Sequence, residues 1–206
     1  MTNTSGNMWN LPNMLTMVRI VIVPIFLGAL LSADGTSVGW RLIATTLFVL
    51  AMVTDKLDGD IARKRGLVTN FGKIADPIAD KALMSAALLG LWAIDVLPLW
   101  IPLVILVREF GITVMRLVIL RFMVLPASRG GKLKTVTQTV AIGLLLLQAV
   151  VVEFVTQPWS TMYLVITWVL LGIAVIITVV TGIHYVWMVI RDFRTRLQAP
   201  RKSALK

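Results

Sequence analysis

Five of the ten acidic residues fall within 26 positions: Asp55, Asp58, Asp60, Asp76 and Asp80. Asp55, Asp58 and Ala62 are spaced by three and four, so on a helix they share one face, whereas Asp60 lies about 140° from Asp55 and is the expected bystander. Asp76 and Asp80 are four apart and share a face of the next helix, so two antiparallel neighbours would present four carboxylates to each other. Carboxylates at that density repel one another and lose hydration beside an apolar medium, so they need cations. Two divalent ions meet that need. Paired metals stabilise attacking and leaving oxygens in phosphoryl chemistry, with carboxylates and substrate phosphates completing an Mg²⁺ shell. Gly59 and Ala62, on or beside the carboxylate face, leave room for a nucleotide, and Arg63 is placed to neutralise a pyrophosphate oxygen. The plainer alternative is a solvated acidic face paired with Lys56, Arg65, Lys73 and Lys81. It does not account for the helical spacing of the acids or for the small residues between them.

Composition narrows the metal further. There is no cysteine, which removes thiolate ligands, disulfides and a thiol nucleophile together. His184 is the single histidine, so a zinc site of several imidazoles is excluded and hard, oxygen-loving ions such as Mg²⁺ are indicated. Close to the end of the last apolar stretch, His184 reads as an interfacial residue outside the site.

The elements that must position these acids are membrane helices. The chain is 58% hydrophobic with a mean hydropathy of +0.88, far too apolar for an ordinary water-soluble domain. Six apolar stretches, at 15–31, 42–54, 78–94, 99–120, 136–155 and 163–190, predict an all-α integral membrane protein with six transmembrane helices. The second is too short to cross alone, so its helix is expected to continue through Trp40 and Arg41 at one end and from Asp55 at the other, which puts carboxylates on a membrane helix.

Lys and Arg concentrate in alternate connections, among them Lys56, Arg63 and Lys64 in the second and Arg129, Lys132 and Lys134 in the fourth, and again in the tail. Near Asp34, Asp95 and Glu153 the only cation is Arg41. This asymmetry predicts both termini in the cytoplasm. The net charge of +10 then reflects topology and attraction to anionic headgroups of membrane lipids, with no nucleic-acid partner implied. The expected organisation is a single membrane domain over 1–190, with 1–13 as an interfacial lead-in, followed by a basic cytoplasmic tail over 191–206.

The segment Asp55-x-x-Asp58-Gly59-x-x-Ala62-Arg63, followed after eight residues by Gly72-x-x-x-Asp76-x-x-x-Asp80, resembles the complete signature of the CDP-alcohol phosphotransferases. The resemblance implies that Asp55, Asp58, Asp76 and Asp80 bind two Mg²⁺ or Mn²⁺ ions per site. It implies that Asp58, Gly59, Ala62, Arg63 and Gly72 hold the CDP moiety of CDP-diacylglycerol, and that Asp80 also acts as general base. It further implies a six-helix homodimer in the cell membrane, with its site at the cytoplasmic face.

Two more segments bear on the acceptor. Leu11-Pro12-Asn13-x-x-Thr16-x-x-Arg19 and Gly131-Lys132-x-Lys134-Thr135-x-x-Gln138 resemble the bacterial phosphatidylglycerophosphate synthase branch of that family, which implies glycerol 3-phosphate as acceptor. A phosphate dianion requires several cationic donors. Arg108 and Arg116, eight apart and so within about 80° of one helix face, join Lys132 and Lys134 as candidates. Arg108 has a competing role as a partner of Glu109, and Arg116 could simply snorkel to the interface. Phosphatidylglycerol, as in cardiolipin synthases, and an inositol phosphate are the alternative acceptors. A divalent-cation transporter is the rival from another class, but the acids cluster at one membrane face and no internal symmetry is visible.

Overall fold

The computed structural model describes residues 10–65, 69–119 and 130–198; the side chains at 60, 62–65, 70, 73, 119, 130–133 and 193–198 lie outside that description. Among the described residues all regular structure is helical. Helix α1 spans Leu11–Leu31, α2 Val38–Arg65, α3 Asn70–Ala93, α4 Trp100–Ile119, α5 Gly130–Phe154 and α6 Trp159–Gln198, with a 3-10 turn at Ser32–Gly35 between the first two.

Helix α1 starts where its local chemistry directs. The Asn10 side chain accepts from the Asn13 backbone N–H at 3.0 Å, and Pro12 occupies the first turn, where its missing N–H has no helical partner to lose. Asn13 therefore lies inside the helix and is buried; most of the expected interfacial lead-in, residues 1–9, lies outside the described residues. The chain reverses between α1 and α2 through Ala33, Asp34 and Gly35, all with positive φ. Gly35 is required there, because a Cβ would stand 2.7 Å from Ile94 Cδ1. At the start of α3, the Thr69 hydroxyl oxygen accepts from the Gly72 N–H at 3.0 Å.

Helix α2 does continue past its apolar stretch in both directions, carrying Asp55 and Asp58 on a single helix that begins before Arg41. Helix α6 runs to Gln198, eight residues beyond the apolar end at Ile190, so the first part of the basic tail is helical.

Among the described residues, four helical segments are long and apolar enough to cross a membrane: Leu11–Gly35, Val38–Gly59, Lys134–Phe154 and Trp159–Asp192. Helices α3 and α4 fall short because of charge. The first carries Asp76, Asp80 and Lys81, and the second Arg108, Glu109 and Arg116. Burial is inverted relative to a water-soluble bundle: Val107, Phe154 and Ile183 are exposed, while Arg19, Arg41, Asn13, Thr16 and Asp58 are buried. In lipid the apolar exterior is already solvated, and polar groups must find partners inside the protein.

Helix α1 packs on α2 and α3, α5 on α2 and α6, and α4 mainly on α6. Phe26, Leu30, Phe48, Leu88 and Leu145 form part of the apolar core beneath the charged end. The approach of α1 to α3 depends on Gly90, where a Cβ would stand 2.6 Å from Leu30 Cδ2.

Candidate active site

Three helices bring the aspartates together. Asp55 and Asp58 project from α2, Asp76 and Asp80 from the first half of α3, and α1 inserts Asn13, Thr16 and Arg19 against them. The Arg19 side chain is fully buried, with Nη1 2.7 Å from Asp55 Oδ1 and Nη2 2.5 Å from Asp58 Oδ2. The Nη2 contact is an aligned hydrogen bond, whereas the Nη1 contact is a charge pair without that alignment. Thr16 donates its hydroxyl to Asp76 Oδ1. Charges on Asp55 and Asp76 act on Asp58, and that of Asp55 acts on Asp80, so the four carboxylates occupy one electrostatic neighbourhood.

The N-termini of α1 and α3 are locked by side chains. The Thr69 hydroxyl donates to Asn13 Oδ1 at 2.8 Å while its oxygen caps Gly72. A Cβ on Gly72 would lie 3.1 Å from Asn13 Oδ1 and 3.3 Å from Thr69 Oγ1, so the backbone here is approached closely by the atoms that fix it. Gly59 lies beside Asp58 on α2, half-buried. The side chains of Ala62, Arg63, Lys132 and the expected bystander Asp60 lie outside the described residues.

Beside Asp80 the character of the site changes. A small cavity of about 30 Å³ between α3, α4 and α5 is lined by Asp80, Lys81, Ser85, Glu109, Lys134 and Gln138, among others. Glu109 organises its cations: Lys134 donates to Glu109 Oε1, and Arg108 Nη1 approaches the same oxygen at 3.2 Å. Lys81 Nζ donates to Thr113 Oγ1 at 2.5 Å and lies 3.4 Å from the Glu109 carbonyl oxygen. Arg108 also donates to Thr181 on α6 at 3.0 Å.

The structure thus joins Arg108 and Lys134 through Glu109. It sets Arg116 elsewhere on α4, with its guanidinium 5.9 Å from the centre of the Tyr185 ring. Lys81 and Glu109 had not been picked out as site residues. Their signal was present, since a charged residue within an apolar stretch marks a polar interior.

The donor set suits hard divalent ions: four carboxylates, no thiolates and no imidazole. Among the described residues no three acidic side chains stand close enough to hold one ion between them. The Arg19 guanidinium bridges Asp55 and Asp58. Its single charge against four carboxylates leaves the cluster net negative, which is the condition that favours further cations.

The chain matches the CDP-alcohol phosphatidyltransferase family over residues 9–190, nearly its whole length. It belongs to that family. Among other CDP-alcohol phosphatidyltransferases, a Mycobacterium tuberculosis protein named probable phosphatidylglycerophosphate synthase is 45% identical over 183 residues, covering 89% of this chain and 83% of the relative. A Bacillus subtilis protein named CDP-diacylglycerol--glycerol-3-phosphate 3-phosphatidyltransferase is 42% identical over 188 residues, covering 86% and 94%. A Streptomyces coelicolor protein named cardiolipin synthase (CMP-forming) is 38% identical over 108 residues, covering only 51% and 49%. CDP-alcohol phosphatidyltransferases generally use divalent metal ions, in keeping with the oxygen-only donor set.

Proposed function

We propose that this chain transfers the phosphatidyl group of CDP-diacylglycerol to sn-glycerol 3-phosphate, releasing phosphatidylglycerophosphate and CMP. One observation carries the reading. Asp80 belongs both to the carboxylate neighbourhood and to the cavity whose cations include Lys81 and Lys134. A residue shared by a nucleotide-metal region and a phosphate-attracting region is where an acceptor hydroxyl meets a donor phosphorus.

Two Mg²⁺ or Mn²⁺ ions held by Asp55, Asp58, Asp76 and Asp80 would supply neutralisation of the pyrophosphate charge. The close-approached backbone at Gly72, with Gly59, Ala62 and Arg63 on α2, receives the CDP moiety. Lys134, Arg108 and Lys81 draw in the phosphate of the acceptor, joined by Lys132 and by Arg116 at the rim. Asp80 takes the proton from the acceptor's primary hydroxyl. That oxygen bonds to the phosphorus bearing diacylglycerol as the bond to CMP breaks. A free aspartate has a pKa of about 3.9 and is a weak base for an alcohol, so Asp80 acts through its position and through stabilised charge in the transition state.

An apolar groove of about 510 Å³ between α2 and α5 reaches Asp55 and Lys56 at one end. It offers acyl chains a place while the headgroup lies among the acids.

The proposed topology has six spans. Helices α3 and α4, of 24 and 20 residues, reach about 36 and 30 Å at 1.5 Å per residue and so match a bilayer core. Both termini and the site then lie at the cytoplasmic face of the cell membrane, with residues 1–190 forming one domain. The homodimer rests on the family likeness.

The test is the release of CMP by purified protein given Mg²⁺, CDP-diacylglycerol and one acceptor at a time. Glycerol 3-phosphate should support turnover, and phosphatidylglycerol and an inositol phosphate should not. Release with phosphatidylglycerol alone would make the chain a cardiolipin synthase.

A further inference from the structure

Glu109 is a carboxylate set among the cations that attract an anion. Its Oε1 accepts from Lys134 on α5 and lies 3.2 Å from Arg108 Nη1, so one oxygen gathers two positive charges. The three side chains are not equally accessible. That of Glu109 is 24% exposed, that of Arg108 17% and that of Lys134 6%, so the acid is the member most open to an arriving ligand. Glu109 and Lys134 also line the cavity of about 30 Å³ beside Asp80, which has room for about two water molecules and too little for a phosphate group.

The cations differ in what else holds them. Arg108 donates to Thr181 at 3.0 Å and Lys81 to Thr113 at 2.5 Å, so each keeps a partner if the Glu109 carboxylate turns away. Lys134 gives its charge to that carboxylate. A nearly buried ammonium requires an anion beside it at all times, so a ligand that enters must take the acid's place.

Charge decides which ligand can do so. Against the two positive charges of Arg108 and Lys134, Glu109 sets one negative charge. A phosphate monoester, with a second pKa of about 6, is largely a dianion at neutral pH and gains by the exchange. A phosphodiester brings a single charge, no more than the acid it would displace.

We propose, on the acceptor reading given above, that Glu109 is a positioning residue that stands in for the acceptor phosphate between turnovers and sets its specificity. It holds Lys134 in place and yields it to a dianionic phosphate monoester but not to a monoanionic phosphodiester. The role is exerted through Lys134, with no contact to the reacting atoms. It accounts for an acid beside an anion site, where attraction alone calls for none.

The experiment is thermal unfolding of the full chain in neutral detergent without Mg²⁺, titrated with inorganic phosphate and with dimethyl phosphate, a monoanion. For the unaltered chain, phosphate should raise the midpoint at concentrations where dimethyl phosphate does not. Glu109→Gln should respond to phosphate at about tenfold lower concentration, because a charge-assisted pair no longer has to be broken, and should respond to dimethyl phosphate as well. Lys134→Gln should lose the response to both. In turnover assays, Glu109→Gln should lower the apparent constant for glycerol 3-phosphate without raising the maximal rate, whereas loss of a purely structural contact would raise that constant.

A weaker or unchanged phosphate response in Glu109→Gln, a raised apparent constant, or a full response in Lys134→Gln would overturn the proposal. Equal responses of the unaltered chain to the two anions would do the same, and that comparison covers the case in which Glu109→Gln does not fold. If the anion titrations run as stated but glycerol 3-phosphate releases no CMP, it is the acceptor reading that fails.

Discussion

Thr16 on α1 donates its hydroxyl to Asp76 on α3, across 60 positions of sequence. The same oxygen lies 3.1 Å from the Pro12 carbonyl, but the one proton favours the carboxylate, the stronger acceptor. Thr16→Val keeps the shape and removes the donor. Turnover should fall by about ten- to a hundredfold, the equivalent of one charge-assisted hydrogen bond. The Mg²⁺ concentration for half-maximal activity should rise with it. Loss of turnover with an unchanged Mg²⁺ requirement would show that Thr16 does not position Asp76 for a cation.

Arg19 compensates two aspartates at once, so Arg19→Gln leaves Asp58 buried without its charge partner. A loss of stability of about 3–5 kcal/mol follows from breaking such a pair. Divalent ions should restore part of it, raising the unfolding midpoint of Arg19→Gln by more than that of the unaltered chain. Equal shifts in the two proteins would separate Arg19 from the metal-binding carboxylates.

Among the acids, Asp55→Asn and Asp76→Asn should each abolish CMP release, whereas Asp60→Asn, off the shared face by helical spacing, should largely retain it. A chelator should stop turnover, and added Mg²⁺ or Mn²⁺ should restore it. Turnover that resists chelation would end the two-metal proposal.

The helical framework was readable from apolar length and from charge. The prolongation of α2 through Asp55 and Asp58 followed from a stretch too short to cross alone. The cross-chain contacts were harder to see. Asn13, Thr16 and Arg19 entered only through likeness to a known branch of the family, because partners 36 to 60 positions away leave no local periodicity. Two signals were nonetheless there. Asn10 followed by Pro12 marks a helix start that carries Asn13 inside α1, and Arg19 is the lone arginine of the first apolar stretch. Glu109 is a similar case. It was weighed only as a neighbour of Arg108, yet a carboxylate in an apolar helix draws cations from wherever the fold supplies them, here Lys134 on α5.

Acceptor recognition is tested by paired titrations. Lys134→Gln should raise the apparent constant for glycerol 3-phosphate by about ten- to a hundredfold and leave that for CDP-diacylglycerol much less affected. Arg116→Gln should act in the same direction but more weakly, because that guanidinium lies over the Tyr185 ring and outside the Glu109 group. Arg63→Gln should show the opposite bias. Equal impairment of both substrates in all three variants would refute the division into two subsites.

Gly90→Ala tests the packing beneath the site. Its new methyl would stand 2.6 Å from Leu30 Cδ2 and 3.1 Å from Leu27 Cδ1, and overpacking of this kind costs about 1–3 kcal/mol. Thermal unfolding should show the loss. Turnover at a temperature where the variant is folded should fall as well, because a shifted α1 moves Thr16 and Arg19 away from their aspartates. A destabilised variant with undiminished turnover would mean that the α1–α3 spacing is not transmitted to the acids.

A guanidinium tethered between Asp55 and Asp58 cannot diffuse away, whereas the ions and nucleotide proposed for this site would come and go with each catalytic cycle. The enzyme therefore carries a permanent ballast of positive charge on α1. When the exchangeable charges depart with product, the helices that carry the acids are not left to push each other apart, and the next substrate meets a cleft that still has its shape. On the proposed metal dependence, scarcity of the ion would then idle the protein without dismantling it.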